Sequence, residues 1–408
     1  ETYTISTFTT GNTWSFMYVN CLSNLVLAKN DALNNEAFNL AGQTTIISAY
    51  IYWQLTMMWG DIPFSEANNL EVPFPKFDPQ EDVLRGIFAL LQEGAGFLDP
   101  ALETPKAIAG DFIYGGDIEQ WEKFANSLAL KVLMYIYNQD QSVATQIDSL
   151  INNEPLILTN ADNAEIPFFE DQTNANNRWK LYNQYGGFDS DLGEDVPTSE
   201  TSYLFAGKPL VDLMNDKSDP RLATYFDEGD DADSGFYKGY EMGDFDEDLE
   251  VSILSNTFLK RDFPDRIHTA EETNLYIAEF LTAEGNKADA EAYYDAGIRA
   301  SMEWFDDKSE SLSNALIDNY ISGRPNFAGL SDADALEEIR EQQYIAFFER
   351  PTEAWGNWKR TKVPSLPLPE NALLNDIIRR YPYPPDEVNA NPNTPTGIQN
   401  DQPMWFEN

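Results

Sequence analysis

The residues that most limit the chemistry of this chain are its single histidine, His268, and its single cysteine, Cys21. A Ser-His-Asp triad or a multi-histidine metal site would have to be built around His268, which lies in "DRIHTAEE" just before a predicted helix. That position favours a structural histidine. Cys21, in "MYVNCLSNLVL", is typical of a small core residue and excludes an internal disulfide. The sequence therefore gives no indication of thiol or imidazole catalysis.

The charge balance narrows the classes of partner. The 408 residues include 69 acidic and 26 basic side chains, for a formal net charge of −43. This charge repels phosphate backbones and anionic lipid surfaces, so nucleic acid is the least favoured partner. It is best explained by a well-solvated surface, and the alternative is an acidic face that binds a metal or another cation.

One acidic segment bears directly on metal binding. Residues 228–250 hold enough carboxylates to ligate Ca²⁺, but their spacing does not fit the twelve-residue calcium loop. A solvated charged loop is the favoured interpretation. We predict no cofactor, with a structural Ca²⁺ as the alternative.

The sequence shows few of the features by which proteins attach to membranes. No apolar run approaches the roughly 20 residues that a spanning helix needs. The segment at Glu1 shows neither a signal peptide nor a cysteine for lipid attachment. Because "ETYTISTFTTGNTW" reads as the interior of a domain, we expect a leading segment to precede Glu1.

Apolar residues recur at helical spacing through most of the chain, whereas strict alternation is rare, so the predicted class is mainly α. Asp117 and Gln120 form a predicted capping box ahead of an apolar stripe that runs from Trp121 to Val132. Periodicity predicts further helices at about Trp14 to Ala28, Thr44 to Trp59, Gln80 to Leu98 and Asp332 to Glu349.

A helical hairpin is predicted after residue 268. Thr269 and Glu272 form a second predicted capping box, and the chain turns at Gly285 into the helix "KADAEAYYDAGIRASMEWF". Ala292, Ala296 and Ala300 on this helix predict close approach of the partner helix. The pattern is similar to a tetratricopeptide unit, although no second copy recurs at a fixed period.

We predict one domain over residues 1–408. Helical pairs at about 12–155 and 269–350 would form a scaffold for a loop-rich region at about 159–262 and a proline-rich C-terminal segment, 363–408. Long irregular stretches of this kind carry function or lie in solvent.

The segment "SAYIYWQLTMMWGDIPFSEA" is apolar around most of a helix, which indicates a buried helix that ends at Gly60 and Pro63. It also resembles the signature of the SusD/RagB family, surface lipoproteins of Bacteroidetes-type bacteria. Further segments match in the family's order: "WEKFANSLALKVLMYI", "DPRLATYF", "TAEETNLYIAEFLTAEG", "FFERPTEAWGNWKRTKVPSL", "IIRRYPYPPDEVNANPN" and "QPMWFEN". The likeness covers roughly Trp14 to the end.

The resemblance implies tetratricopeptide-like helical pairs that scaffold a loop-rich ligand-binding half. It also implies a lipid-anchored protein outside the outer membrane that delivers glycan, or in some members peptide, to a SusC-type TonB-dependent transporter. Its contact with the membrane would run only through an anchor that is absent from this sequence. An algal glucan such as laminarin is a guess at the glycan.

Sugar binding needs flat apolar faces beside amide, hydroxyl and carboxylate groups. Six of the nine tryptophans lie in core stripes or family motifs and are expected to be structural: Trp53, Trp59, Trp121, Trp355, Trp358 and Trp405. Of the others, Trp179 lies in the polar segment "NANNRWKLYNQYGGF" and is the preferred platform. Its companions there are Asn177, Arg178, Tyr182 and Tyr185. The alternative is that Trp179 anchors its own loop to the scaffold.

Two further tryptophans are weaker candidates. Asn12 and Trp14, in "TTGNTW", offer an amide and a ring, although Trp14 fits a core position better. Trp304 ends a helix, where packing is again favoured. The alternatives to glycan binding are a peptide-binding, RagB-like member and a helical glycoside hydrolase or lyase. No local signature supports a catalytic pair of carboxylates, so we predict that the protein is not an enzyme.

Overall fold

The structure is a computed structural model that describes residues 5–6, 10–102, 110–182, 188–189, 194–195, 204–228, 236–242, 251–305, 312–369 and 372–407. The chain divides into two compact units. Unit 1 consists of Glu1–Ile157, Arg350–Lys362 and Pro367–Asn408. Unit 2 consists of Leu158–Glu349 and Val363–Leu366.

Helices dominate the described residues, as the periodicity predicts. They are α1 (Gly11–Ser15), α2 (Ser23–Asn34), α3 (Phe38–Trp59), α4 (Gln80–Gly96), α5 (Ile118–Tyr137), α6 (Ala144–Asn153), α7 (Asn177–Tyr182), α8 (Lys208–Asp216), α9 (Leu222–Tyr225), α10 (Ala270–Ala283), α11 (Lys287–Glu303), α12 (Asn314–Ser322), α13 (Asp332–Ala346), α14 (Pro351–Thr361) and α15 (Pro385–Ala390). A π-helical segment, Phe16–Leu22, joins α1 to α2. The mainly helical fold class is therefore confirmed.

The strands are short and paired in antiparallel twos. They are β1 (Ala164–Ile166) with β6 (Asp265–His268), β2 (Phe188–Asp189) with β3 (Glu194–Asp195), and β4 (Phe226–Asp227) with β5 (Ile253–Leu254). All of them lie in unit 2. Short strands and short helices thus make up the described part of the loop-rich region.

Unit 1 is built from helices that pack on their sequence neighbours, from α2 to α6. Its central helix, α3, is buried on nearly every side, which is what its apolar sequence predicts. Helix α4 is amphipathic and packs one face inward, whereas α5 is buried without interruption from Phe124 to Ile136. Asp117 caps α5 by accepting hydrogen bonds from the backbone N–H groups of Glu119 and Gln120, so the N-cap half of the predicted capping box is present. The Asp117 backbone N–H donates to Tyr114 O instead of to Gln120.

A buried carboxylate joins three helices of unit 1. Glu353, on α14, accepts hydrogen bonds from Gln54 Nε2 at 2.8 Å and from Trp53 Nε1 at 3.2 Å, both on α3. It also forms an ion pair with Lys131 of α5, whose Nζ lies 2.9 Å from Oε2. The side chains of Lys131 and Glu353 are 0% and 3% exposed. Charges at this depth are tolerated because Lys131 and Glu353 neutralise each other and the neutral donors on α3 satisfy the rest of the carboxylate.

Unit 2 contains the predicted helical hairpin, formed by α10 and α11 around Gly285. The expected alanine stripe is not the point of closest approach, because Ala292 is exposed and Ala296 only half-buried. Gly297 fills that role, since a Cβ there would lie 2.8 Å from Leu275 Cγ.

The predicted capping box at Thr269 is wrong. The Thr269 side chain makes no capping hydrogen bond. Instead, Asn163 Oδ1 accepts the hydrogen bond of the Ala270 backbone N–H at 2.8 Å. Glu272 Oε2 lies 3.5 Å from His268 Nδ1, while His268 Nε2 is 2.9 Å from the Thr273 hydroxyl. The histidine is fully buried and has the structural environment predicted for it.

The surroundings of Asp295, on α11, raise the pKa of its carboxyl group. Partial burial of Asp295, followed by the negative charge of Glu291, raises the pKa of the Asp295 carboxyl to about 6, against the lowering influence of Arg299. The folded protein therefore holds this proton more tightly than the unfolded chain. The resulting stabilisation is full below the ordinary pKa of 3.8 and is lost as the pH rises through about 6.

Within the described residues, every helix is too short or too polar to cross a bilayer.

We predict that Lys131→Met destabilises the protein by about 3 to 5 kcal/mol, because it leaves the Glu353 carboxylate buried without its cation. Urea unfolding measures the change. The matched control is Lys29→Met, whose partner Glu93 is 44% exposed, and it should cost less than about 1 kcal/mol. Equal, small effects in both variants would contradict the importance assigned to the buried pair.

We also predict that Asp295→Asn stabilises the protein by about 1 kcal/mol near neutral pH, a figure that allows for solvent screening of a half-buried group. The gain should shrink toward about pH 5, where the folded wild type already binds the proton. Unfolding at the two pH values checks this. A stability gain that is larger at the lower pH would contradict the raised pKa assigned to Asp295.

Candidate binding site

Trp179, the preferred platform from the sequence, is not exposed. Only 1% of its surface is accessible, and the guanidinium of Arg261 lies 4.7 Å from the centre of its ring. Asn176 explains this orientation, because its backbone N–H donates to Arg261 O and its side-chain Nδ2 donates to Phe263 O at 2.8 Å. These bonds hold the start of α7 against residues 261–263. The expectation of an exposed platform is wrong, and the alternative of an inward anchor describes the ring.

The companions of Trp179 are in different environments. Asn177 is exposed on α7, whereas Arg178 is half-buried and paired with Asp265 at 3.0 Å and with Glu349 at 3.5 Å. Tyr182 lies at the end of α7. Tyr185 lies outside the described residues.

Trp304 is also a packing residue, as the sequence favours. It is 5% exposed, donates from Nε1 to Glu165 Oε1 at 2.6 Å, and stacks under the guanidinium of Arg266 at 4.1 Å. Phe263 contacts both Trp304 and Arg178. Its ring centre lies 5.5 Å from the ring centre of Trp304 and 4.9 Å from the Arg178 guanidinium carbon. Arg178 and Trp304 thus both contact Phe263, but the buried Trp304 ring offers no surface to a ligand.

Trp14 belongs to an aromatic cluster in unit 1. Its ring centre lies 5.1 Å from Trp59, 4.8 Å from Tyr18 and 6.0 Å from Tyr383, and it stacks at 14° on Phe77. With 5% of its surface exposed, it is the core residue that its helical position predicts. It nevertheless forms part of the wall of a cleft. Asn12 is exposed on the same helix.

This Trp14 cleft has a volume of about 270 Å³. Three aromatic rings and several aliphatic or proline side chains form its apolar walls, and four other side chains and the Tyr18 hydroxyl supply polar groups. The lining residues are Trp14, Ser15, Tyr18, Val19, Pro63, Ala67, Asn68, Pro73, Phe74, Pro75, Glu387, Ala390 and Asn391. Among the aromatic residues, Phe74 presents the most surface, at 51% exposed.

The turn after α3 builds one wall of the cleft. Gly60, at φ +82°, ends the helix, and the chain then runs through Pro63 to Asn68. Asp78 fixes this turn by accepting hydrogen bonds from the backbone N–H and hydroxyl of Ser65. Burial alone would raise the pKa of Asp78, but the bonds from Ser65 and the Lys76 ion pair hold it below its ordinary value. The Gly-Asp-Ile-Pro sequence thus positions the cleft.

The polar groups of the cleft are largely preorganised. The Tyr18 hydroxyl donates to Pro63 O at 2.7 Å, and its burial raises the tyrosine pKa well above the usual value. Asn391 Nδ2 donates to Pro75 O and to Glu387 Oε1, each at 2.9 Å. Asn68, at φ +56°, accepts a hydrogen bond from the Ser23 hydroxyl at 2.8 Å. Amide, hydroxyl and carboxylate groups therefore surround the aromatic rings.

A second cleft lies across helix α15. Its volume is about 220 Å³, and Tyr381, Tyr383, Thr396 and Asn400 line it together with proline, glycine and aliphatic residues. Val388 of α15 faces this Tyr381 cleft, whereas Glu387 and Ala390 face the Trp14 cleft. The short helix is thus a ridge between two clefts of unit 1.

Metal ligation finds no support in the described residues, where no three His, Cys, Asp or Glu side chains come together in a suitable group. Most of the acidic segment 228–250 lies outside the residues that the structure describes. The suggestion of a structural Ca²⁺ therefore stays a prediction.

Sequence reasoning missed most of the cleft. Tyr18, Phe74 and Glu387 were not singled out, although Phe74 stands in "VPFPKFDP", where flanking prolines prevent a helix from burying the ring. That signal could have found it. Asn68 and Glu387 carry no such mark, because they enter the cleft only through tertiary folding.

Sequential helical pairs that carry an aromatic and polar cleft place the chain among helical scaffold proteins with a candidate ligand site. The sequence profile of the SusD-like family, described as "Starch-binding associating with outer membrane", matches residues 1–384. The chain belongs to this SusD-like family.

Solved structures agree in fold. A SusD homologue from Bacteroides fragilis NCTC 9343 matches with a TM-score of 0.80 at 24% identity, over 96% of this chain and 89% of that chain. A SusD homologue from Bacteroides uniformis ATCC 8492 gives 0.77 at 23%, over 100% and 91%. A chitin-binding SusD homologue from Flavobacterium johnsoniae gives 0.77 at 21%, over 96% and 85%. No curated protein sequence matches the chain.

We predict that Trp179→Ala destabilises the fold by about 3 to 5 kcal/mol, because it removes a fully buried indole and the surface on which Arg261 stacks. Chemical denaturation monitored by circular dichroism measures this. Asn177→Ala, an exposed neighbour on the same helix, should change stability by less than about 0.5 kcal/mol. If Trp179→Ala keeps its stability but loses glycan binding, the result would support Trp179 as an exposed sugar-binding residue.

Proposed function

We propose that this protein binds oligosaccharide or polysaccharide at the cell surface without cleaving it, and that the Trp14 cleft is a binding site. The observation that carries the proposal is the combination, in one cleft, of aromatic faces with amide, hydroxyl and carboxylate groups. Sugar rings present apolar C–H faces and hydroxyl edges, and this set of groups complements both. Membership of a family described as starch-binding supports the same reading.

The size of the clefts favours an extended ligand. Pockets that enclose a whole drug-sized ligand span about 300 to 1,000 Å³. The Trp14 cleft, at about 270 Å³, and the Tyr381 cleft, at about 220 Å³, fall below that range. Each would hold part of a longer molecule. A glycan chain that crosses α15 would place different units of the same chain in the two clefts.

The carboxylates of the clefts support a non-catalytic role. Glycoside hydrolysis uses two carboxyl groups roughly 5 to 10 Å apart. Among the described residues that line the two clefts, Glu387 alone carries a carboxylate. Its Oε1 already accepts a hydrogen bond from Asn391. The site is therefore suited to orienting hydroxyl groups and lacks a partner for acid-base cleavage.

The family membership extends the proposal to location and partner. We propose that the protein is held by a lipid anchor on the outer face of the outer membrane and delivers its ligand to a SusC-type TonB-dependent transporter. The family's description as associating with the outer membrane supports the location. A neutral glucan such as laminarin is the first ligand to test, and the chitin-binding relative makes chitin oligosaccharides the second.

We predict that Phe74→Ala weakens glycan binding at least tenfold, because it removes the most exposed ring of the Trp14 cleft, while stability changes by less than about 1 kcal/mol. Isothermal titration calorimetry with laminarin-, starch- and chitin-type oligosaccharides measures the affinity. Trp14 is unsuitable for this test, because its replacement would also disrupt the aromatic core.

Phe112→Ala is the matched control. Phe112 is 61% exposed in unit 1 and does not line either cleft, so its loss removes similar apolar surface elsewhere. Equal affinity in wild type and Phe74→Ala would move the glycan site away from this cleft. Release of new reducing ends by the purified protein, abolished in Glu387→Gln, would instead establish a hydrolase.

A further inference from the structure

We infer that the Trp14 cleft selects glycans by charge, and that its ligands are uncharged or cationic sugars and exclude uronic acid and sulfated polymers. The inference rests on the proposed function and makes its substrate class more specific. The observation behind it is the sign of the charge that the cleft presents. Glu387 is the ionisable acid among its described lining residues, and neither lysine nor arginine lines it.

Binding of an anionic sugar would need a cation in the cleft. Proteins recognise carboxylate and sulfate groups with arginine forks or lysine, which supply charge-assisted hydrogen bonds. The lining residues of the Tyr381 cleft provide no such group either, within the described part of the chain. A polyanion that occupied both clefts would therefore meet neutral lining groups and the negative charge of Glu387.

The nearby cations are engaged elsewhere. Lys76 follows the lining residue Pro75, but its Nζ lies 2.9 Å from Asp78 Oδ1. Arg380 precedes the lining residue Tyr381, and its guanidinium donates to the backbone carbonyls of Gln402 and Pro403. Asp78 neutralises the Lys76 ammonium, whereas the buried Arg380 keeps its charge but directs its N–H donors to backbone carbonyls. Neither side chain lines a cleft, so neither presents a charged donor there.

Glu387 is placed to act on the ligand. It is half-buried on α15, and Asn391 fixes the position of its Oε1 through a 2.9 Å hydrogen bond. The carboxylate can accept a hydrogen bond from a sugar hydroxyl, and more strongly from the ammonium group of an amino sugar. A ligand carboxylate in the same position would be repelled. For charges about 4 Å apart in a water-like medium, this repulsion corresponds to roughly a fivefold loss of affinity, and to more in a less polar cleft.

The test compares glycans that differ only in charge. The full chain is titrated with starch-, laminarin- and cellulose-type oligosaccharides of equal length, each as the neutral sugar and as its C6-carboxylated derivative, and with chitin- and chitosan-type oligomers. We expect the carboxylated form of any bound sugar to bind at least fivefold more weakly, with a difference that decreases as salt is added. The chitosan-type oligomer should bind at least as tightly as its acetylated counterpart.

Variants locate the effect. Glu387→Gln keeps an oxygen that can accept the Asn391 bond, and it should reduce the ratio of neutral to carboxylated affinity at least threefold. Asp386→Asn removes the same charge from the neighbouring, exposed position of α15, which does not line the cleft, and it should leave that ratio unchanged. Equal reductions in both variants would assign the effect to the overall charge and overturn the proposed role of Glu387.

Two further outcomes are distinguishable. A carboxylated or sulfated glycan that binds wild type as tightly as the neutral form overturns the charge inference and leaves glycan binding intact. Failure of every glycan to bind, whatever its charge, overturns the proposed function itself. The salt dependence of the wild-type protein decides the first question even if Glu387→Gln does not fold.

Discussion

The buried carboxylate of Glu353 is the constraint on which the organisation of unit 1 depends. A carboxylate that is 3% exposed must find all of its partners inside the protein, and it finds them on α3 and α5. The three helices must therefore meet in one register for the charge to be satisfied. Hydrophobic packing alone would tolerate small displacements, whereas this set of hydrogen bonds does not.

The geometry of the Trp14 cleft depends on this packing of α3, α5 and α14. Helix α3 carries Trp59 at its end, and Trp59 packs edge-on against Trp14. The turn that begins at Gly60 then presents Pro63 and Asn68 to the same cleft. The proposed binding surface, assembled from α1, a turn and α15, is consequently held by the core of unit 1, so its rings would need little reorganisation to meet a ligand.

Helical periodicity was a good guide to the scaffold and a poor one to its ends. Helix α4 was expected from Gln80 to Leu98 and extends from Gln80 to Gly96. The agreement is close because a strong apolar stripe marks this helix and a glycine lies at its end. The first helical stretch was expected to stop at Ala28, where its stripe fades, yet hydrogen bonding continues to Asn34. Of residues 29–34, Ala32 alone is buried, so the backbone hydrogen bonds continue there without an apolar stripe that the sequence pattern could record.

The site could be read from sequence only in part. Trp14 was named, but as a core residue first, and it proves to be both core and cleft wall. Trp179 was misjudged because local polarity says nothing about a distant arginine that covers an indole. Composition reports which side chains could bind sugar, whereas tertiary contacts decide which of them reach solvent. The one local rule that works here is the proline that keeps Phe74 out of a helix.

The division of the chain has a consequence for biosynthesis. Unit 1 uses Glu1–Ile157 together with Arg350–Lys362 and Pro367–Asn408, so its parts leave the ribosome far apart in time. Until Glu353 is translated, Lys131 lacks this carboxylate as a partner, and Trp53 and Gln54 of α3 lack the acceptor of their side-chain hydrogen bonds. The early segment is therefore expected to remain incompletely folded during translation, exposing apolar surface that a holding chaperone could protect. Unit 2, which is encoded between these segments, can complete its own hairpin first.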